Sequence, residues 1–131
     1  MILLDTHIWI WWVSQPDRLS PIHARLLEAG SAGDEGVGVS IISCWEAAKL
    51  VEYRRLRIDR PLSAWLDDAL SLPAIRVLPL STRIVVESTQ LPGAFHKDPA
   101  DQMIVATARV LGCALLTEDS KIRAYPHVDT P

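Results

Sequence analysis

Short apolar segments alternate with helical segments along the whole chain of 131 residues, and this alternation limits the fold more than any other feature. Residues 1–4, 37–40, 75–80 and 113–117 predict strands, and a weaker fifth strand is predicted around Val128. Apolar runs of this length are typical of strands buried on both faces of a sheet. We therefore predict an α/β fold, a single domain over residues 1–131, with a parallel sheet covered by helices.

Capping residues predict where several helices begin. Ser43 and Glu46 have the spacing of a capping box, which would start a helix at Ser43 and give Glu46 a structural role. Asp98 precedes Pro99 and is predicted to cap a buried helix that ends at Gly112. The same reasoning predicts caps at Ser20, Asp59 and Ser81.

Carboxylates recur where predicted strands end and predicted helices begin. In a parallel sheet these positions share one edge, which is where ligands bind in open α/β sheets. Taken singly, each acid has an alternative role as a cap or turn residue. Taken together they would repel, by roughly 4 kcal/mol for two charges 4 Å apart at a dielectric constant of 20. Such a cluster requires protonated acids or a bound cation. The acids are Asp5, Glu46, Asp98, Asp101 and Asp119, with Glu118 adjacent.

An all-oxygen cluster, with no converging Cys or His, favours Mg²⁺ or Mn²⁺ and metal-assisted phosphodiester hydrolysis. The motifs of P-loop, dinucleotide-binding and serine-hydrolase proteins are absent. A metal-dependent phosphatase, a DNA nuclease and a non-catalytic dimerising regulatory module remain alternatives. A haloacid-dehalogenase-like phosphatase would need a second Asp two residues after Asp5, where this chain has His7.

Composition limits the partners and the compartment. The formal net charge of −3 argues against nonspecific polyanion binding, although a local basic patch could still contact nucleic acid. Cys44 and Cys113 are predicted to be buried free thiols in a reducing cytosol. The amino terminus is expected to be neither a signal peptide nor a membrane span, so we expect a cytoplasmic protein with no membrane partner.

Two further groups of residues each have two possible interpretations. A basic group is either a solvated helix face or a path for a nucleic-acid backbone; its members are Lys49, Arg54, Arg55 and Arg57, with Arg60 just beyond. The cluster of Trp9, Trp11 and Trp12 either packs in the core and forms a hydrophobic lid, or forms a partner-binding surface.

Four motifs, in order, carry a family resemblance: Leu4-Asp5-Thr6-His7, residues 40–46, residues 98–108, and Leu115-Leu116-Thr117-Glu118-Asp119. With these motifs the chain resembles the PIN-domain ribonucleases, and within them the VapC-type toxins. The resemblance implies a three-layer α/β/α domain with a central parallel sheet of four to five strands. It also implies an endoribonuclease that depends on Mg²⁺ or Mn²⁺, acts as a toxin on an RNA substrate, forms a homodimer, and is inhibited by a cognate antitoxin protein.

The resemblance also assigns roles to residues. By position, the catalytic, metal-binding acids are Asp5, Glu46, Asp101 and Asp119. Asp98 is a further acid that binds the metal, orients a water or only caps its helix. Thr6 and Thr117 are expected to hydrogen-bond a carboxylate or a metal-bound water. His7 and His96 are expected to have turn or surface roles, and the tryptophan cluster is the candidate for part of an antitoxin groove near the active site.

Overall fold

Four parallel strands form the central sheet of the computed structural model, which describes residues 1–131. The strands are β1 (Ile2–Leu4), β2 (Val37–Ser40), β3 (Ile75–Leu78) and β4 (Ala114–Leu116), in the spatial order β3-β2-β1-β4. The predicted parallel α/β sheet is therefore confirmed, with four strands. The fifth strand predicted around Val128 is wrong, since that segment contacts the sheet through one backbone hydrogen bond, from Leu115 N to Asp129 O at 2.8 Å.

Helices cover both faces of the sheet, so the three layers are present. The helices are α1 (Thr6–Ser14), α2 (Pro21–Ala32), α3 (Ile41–Glu52), α4 (Leu62–Ala69), α5 (Thr82–Ser88), α6 (Pro99–Leu111) and α7 (Ser120–Arg123), with a short 3-10 turn at Pro16–Arg18. Leu4 and Leu116 pack with α1, α3 and α4 on one face. Leu3 and Leu115 pack with α6 and α7 on the other face. This alternation follows from side chains pointing to opposite faces along each strand.

The predicted start of α3 is wrong by one turn. Ser40 ends β2 in an extended conformation and caps α3, because its side chain accepts a hydrogen bond from Ile42 N at 3.2 Å. Ser43 lies inside the helix and is fully buried. Glu46 therefore takes no part in a capping box, which removes the structural explanation for its presence.

Of the other predicted helix caps, most are confirmed and one is wrong. Ser20, Ser81 and Asp98 cap their helices as predicted, and Gly112 ends α6 in the left-handed conformation at φ 63°. Asp59 does not cap a helix, because α4 begins only after Pro61 and the Asp59 carboxylate accepts from Arg60 Nε instead. The strand β3 ends at Leu78 rather than residue 80, and it lies at an edge of the sheet, where the following Pro79 is tolerated.

Trp9 is part of the core and not of a partner surface. Its side chain is fully buried and its Nε1 donates to Ala69 O at 3.0 Å. Trp11 and Trp12 are half-buried against the same core. Both cysteines are free; Cys44 is buried, whereas Cys113 is only half-buried. None of the helices has the length and hydropathy that a membrane span requires.

Two glycines with positive φ provide a test of the packing at the start of β2. Alanine at Gly112 meets no atom within 4 Å, so Gly112→Ala should cost only the left-handed backbone conformation, about 1 kcal/mol. At Gly36, a Cβ would lie 2.5 Å from Ala74 O, which already accepts a hydrogen bond from Val37 N. We expect Gly36→Ala to lower the free energy of unfolding by at least about twice as much, measured by urea denaturation. Equal losses would contradict this packing.

Candidate metal centre

The sheet edge at the carboxyl ends of the strands brings distant acids together. Asp5 directly follows β1, Glu46 lies in the second turn of α3 after β2, and Asp101 lies in the first turn of α6. Carboxylate oxygens of these three residues all lie within 4.8 Å of one another. Asp119, which follows β4, falls in a second group with Asp101 and His96 at the same mutual distance. Asp101 is thus shared by two overlapping groups of possible metal ligands.

Asp5 is the most enclosed of the acids, with 6% of its surface exposed. Its Oδ1 accepts from Thr6 N at 2.8 Å, and its Oδ2 accepts from the Thr117 hydroxyl at 2.7 Å. Burial raises the pKa of Asp5, and the two hydrogen bonds oppose that rise. Both carboxylate oxygens are therefore fixed in position before any ligand binds. Thr117 lies beside Asp5 because Leu4 and Leu116 are partners in the sheet.

Glu46 is held by the same segment that holds Asp5. The Thr6 hydroxyl donates to Glu46 Oε1 at 2.5 Å and lies 2.9 Å from the Ser43 hydroxyl. Burial raises the pKa of Glu46, and the neighbouring Asp5 and Asp98 carboxylates raise it further. Thr6 and Thr117 thus each donate a hydrogen bond to a carboxylate, Thr6 to Glu46 and Thr117 to Asp5.

The pKa of Asp101 is strongly raised. Burial, together with the charges of four neighbouring carboxylates, raises its pKa to about 7. Those four belong to Asp98, Asp5, Glu46 and Asp119. No Lys or Arg side chain forms an ion pair with Asp5, Glu46, Asp101 or Asp119. The acids therefore face one another with no Lys or Arg paired to them, and this donor set fits a bound divalent cation.

Asp98 and Asp119 have capping contacts as well as their positions near the cluster. Asp98 Oδ1 accepts from Asp101 N at 2.9 Å, and Asp98 falls in neither group of converging ligand atoms. Asp119 Oδ1 accepts from Lys121 N and Ile122 N at 2.8 and 3.1 Å, which caps α7, a helix that the sequence analysis missed. Glu118 lies apart from the site, 3.1 Å from His23 Nδ1.

His96 is the residue near the acids that sequence reasoning did not place there. Its Nε2 atom is buried and lies 3.1 Å from Asp101 Oδ2, so the expectation that no histidine converges on the acids is wrong. The sequence feature that could have placed His96 near the acids is its position two residues before Asp98, the cap of α6. His7, in contrast, is exposed, as expected, and lowers the pKa of Asp5 and Glu46 through its charge.

The basic group divides into paired and unpaired members. Lys49 Nζ is 3.0 Å from Glu52 Oε1, and Arg60 pairs with Asp59 and Asp68. The remaining three, Arg54, Arg55 and Arg57, are exposed and form no ion pair.

One of the unpaired arginines lines a cleft beside the acids. The cleft has a volume of about 380 Å³, and Arg55 lies in its wall with His7, Trp11 and Arg18. The Arg18 guanidinium stands 4.6 Å from the centroid of the Trp11 ring. His7, whose charge lowers the pKa of Asp5 and Glu46, lines the same cleft as Trp11 and the two arginines.

Comparison with known proteins agrees with this architecture. A PIN-domain family model matches residues 2–128. The chain is 33% identical to Ribonuclease VapC22 of Mycobacterium tuberculosis over 126 residues, which cover 96% of this chain and 92% of that protein. Its fold is similar to VapBC2 from Rickettsia felis bound to a promoter DNA fragment, with a TM-score of 0.70, 17% identity, and coverage of 100% and 98%. A toxin–antitoxin complex from Klebsiella pneumoniae gives a TM-score of 0.66 at 22% identity, with the same coverage.

The fold and the acid-lined sheet edge define a protein of the nuclease-like α/β class, and the family match makes the assignment definite. The chain belongs to the PIN-domain family. Within that family, its similarity to VapC22 along nearly the full length of both proteins groups it with the VapC type.

The raised pKa of Asp101 predicts how stability depends on pH in metal-free protein. Between pH 3.8 and about 7 the folded state holds a proton that the unfolded state has lost, so stability should fall as pH rises through this range. The substitution Asp101→Asn removes the ionisable carboxyl group, and with it this loss of stability at high pH. We expect it to exceed wild type by about 1–2 kcal/mol at pH 8 in EDTA, because one pKa unit corresponds to about 1.4 kcal/mol and water screens part of the site. The gain should shrink towards pH 4.5.

Urea denaturation at several pH values measures this gain. Asp67→Asn is the matched control, because Asp67 is exposed and has no ion pair. A gain at Asp101 that did not change with pH would contradict the assigned cause.

Proposed function

We propose that this chain is the ribonuclease toxin of a toxin–antitoxin pair, and that it hydrolyses RNA phosphodiester bonds with Mg²⁺ or Mn²⁺. The observation that carries the proposal is the convergence of Asp5, Glu46 and Asp101 carboxylate oxygens, none of which is paired with a Lys or Arg. Similarity to a VapC ribonuclease supports the nuclease class. The dependence on a divalent metal and the choice of ion are the further steps that we propose here.

The donor set suits these ions in chemistry and in spacing. Mg²⁺ prefers oxygen ligands at about 2.1 Å, so ligand atoms on opposite sides of one ion are about 4.2 Å apart. Ligand atoms within 4.8 Å of one another need only small side-chain rotations to reach that separation. When bound, such an ion stabilises the negative charge that develops on a phosphodiester during hydrolysis.

We assign the residues as follows. Asp5, Glu46, Asp101 and Asp119 hold the metal and are the catalytic acids. Thr6 and Thr117 orient the Asp5 and Glu46 carboxylates through the hydrogen bonds described above. We assign Asp98 a capping and electrostatic role, because its Oδ1 is occupied by Asp101 N and its charge raises the pKa of both Glu46 and Asp101.

Two substitutions test the metal and the catalysis together. We expect Asp5→Asn and Asp101→Asn to lower RNA cleavage by at least about 100-fold, because a metal ion supplies several kcal/mol of charge stabilisation. Wild type should also gain about 2.7 kcal/mol of stability at a metal concentration 100 times the Kd, and both variants should gain much less. Cleavage assays and denaturation with and without Mg²⁺ or Mn²⁺ measure these effects.

Asp67→Asn serves again as the control and should match wild type in both assays. Cleavage of only DNA or phosphomonoesters would favour the phosphatase or DNA nuclease alternatives. Absence of any stabilisation by either ion would argue for a non-catalytic module.

We further propose that RNA follows the cleft lined by Trp11, Arg18 and Arg55, with Arg57 nearby. Arg54, Arg55 and Arg57 have no intramolecular ion pair and are free to contact phosphates. Lys49 and Arg60 are held by acidic partners and contribute less. The half-buried Trp11 offers an apolar ring on which a base can stack.

The salt dependence of RNA binding tests this path. In an Asp5→Asn background, where RNA should stay intact, the double variant Arg55→Ala/Arg57→Ala should reduce the salt slope by about 1.4, or about 0.7 for each lost phosphate contact. Arg25→Ala/Arg83→Ala is the matched control, since it removes two exposed, unpaired arginines elsewhere and gives the same change in net charge. Equal slopes for the two double variants would exclude the proposed path.

We also propose a cognate antitoxin and a homodimer as the assembled forms. Similarity in fold to a solved toxin–antitoxin complex supports the antitoxin. Trp9 is buried and cannot reach a partner. We therefore propose that the antitoxin binds in the cleft beside His7 and Trp11. Occupation of that cleft would block the path proposed for RNA.

A further inference from the structure

The side chains of His96, Asp101 and Asp119 offer one ring nitrogen and two carboxylate groups to a common point. Their ligand atoms all lie within 4.8 Å of one another. We propose that these residues form a cation position with a nitrogen ligand, His96 Nε2, beside the all-oxygen position at Asp5 and Glu46, and that this position favours Mn²⁺ over Mg²⁺. The inference rests on the proposed function, because it concerns the same metal centre.

The contact between His96 and Asp101 has the spacing of two neighbouring ligands. Nε2 lies 3.1 Å from Asp101 Oδ2, and neighbouring ligands of an octahedral ion with bonds of about 2.1 Å are about 3.0 Å apart. The two atoms are not aligned as a hydrogen bond, and Nε2 has no other partner although it is buried. A short, misaligned contact of this kind is expected when both atoms point towards a third position.

The other side of the ring permits this ligation. Coordination through Nε2 requires the ring proton to be on Nδ1. Nδ1 lies 3.4 Å from Asp98 N, which is longer than an ordinary hydrogen bond. Placing the proton on Nδ1 therefore costs one weak contact at the exposed start of α6.

Two further contacts hold the His96 segment in place. The Phe95 ring lies 4.4 Å from the His96 ring, centroid to centroid, and Gln102 Nε2 donates to His96 O at 3.0 Å. Because Gln102 follows Asp101 in α6, the helix that carries the shared acid also positions the histidine. The ring is thus arranged next to Asp101 before any ion binds.

A nitrogen ligand changes which ion is preferred. Both Mg²⁺ and Mn²⁺ favour oxygen ligands, but Mn²⁺ is the softer ion and accepts one imidazole nitrogen more readily than Mg²⁺ does. We therefore expect His96→Gln to weaken Mn²⁺ binding by at least about tenfold, because losing a ligand should cost no less than losing a residue that only hydrogen-bonds a ligand, and to change Mg²⁺ binding much less. Calorimetry with each ion measures the two affinities without reference to catalysis.

Pulsed electron paramagnetic resonance of bound Mn²⁺ tests the ligand directly. Tag-free wild-type protein should show the hyperfine coupling of a directly bound ¹⁴N, and labelling with [¹⁵N]histidine should replace it with a ¹⁵N coupling. His96→Gln should abolish the coupling while Mn²⁺ remains bound. His7→Gln and His127→Gln are the matched controls and should retain it, because neither imidazole is in a group of converging ligand atoms.

The outcomes separate this inference from the proposed function. Bound Mn²⁺ without nitrogen coupling in wild type, or with coupling that persists in His96→Gln, would overturn the nitrogen ligand and leave the metal-dependent nuclease intact. No binding of Mn²⁺ or Mg²⁺ at all would overturn both.

A second variant, which keeps His96, tests the proposal even if His96→Gln does not fold. A variant lacking His7 and His127 leaves only His23 and His96, and His23 is in neither group of converging ligand atoms. That variant should keep the ¹⁵N coupling, and its loss would overturn the proposal.

Discussion

The structure depends on one electrostatic constraint, the repulsion among carboxylates that the parallel sheet gathers at a single edge. The register between β1 and β4 places Asp5 beside Thr117, and the start of α3 places Glu46 beside Thr6. Burial and mutual repulsion together raise the pKa of Asp101 to about 7. A chain under no functional demand would lower its free energy by replacing one of these acids, so the cluster supports the proposal of a ligand that stabilises them.

The parts of the fold that sequence could predict are those set by local chemistry. The segment 37–40 forms a strand with the predicted bounds because it is apolar and short, and α6 begins and ends as predicted because Asp98, Pro99 and Gly112 each favour one backbone conformation. The convergence of Asp5, Glu46 and Asp101 was also predictable, since it follows from the geometry of any parallel sheet once the strands are placed.

The parts that sequence could not predict depend on contacts between distant segments. Ser40 and Ser43 are both acceptable caps, and the choice is made by the pairing of Ser40 with Leu78 in the sheet and by the burial of Ser43 against Thr6. Trp9 becomes a core residue only because Ala69 supplies a partner for its indole. His96 lies in a loop without periodicity, so nothing local shows that its ring turns towards Asp101.

Capping and metal binding are compatible roles for the same acid, and this explains how the chain tolerates the cluster. Asp119 uses Oδ1 for two backbone N–H groups of α7 and has no hydrogen bond to Oδ2, which stays available to a ligand. Asp101 lies in the first turn of α6, where the helix dipole favours a negative charge. That effect is about 0.3–1 kcal/mol, whereas one pair of charges 4 Å apart repels by roughly 4 kcal/mol. Backbone groups alone therefore cannot hold all the acids ionised at neutral pH, and the balance must come from protons or from a cation.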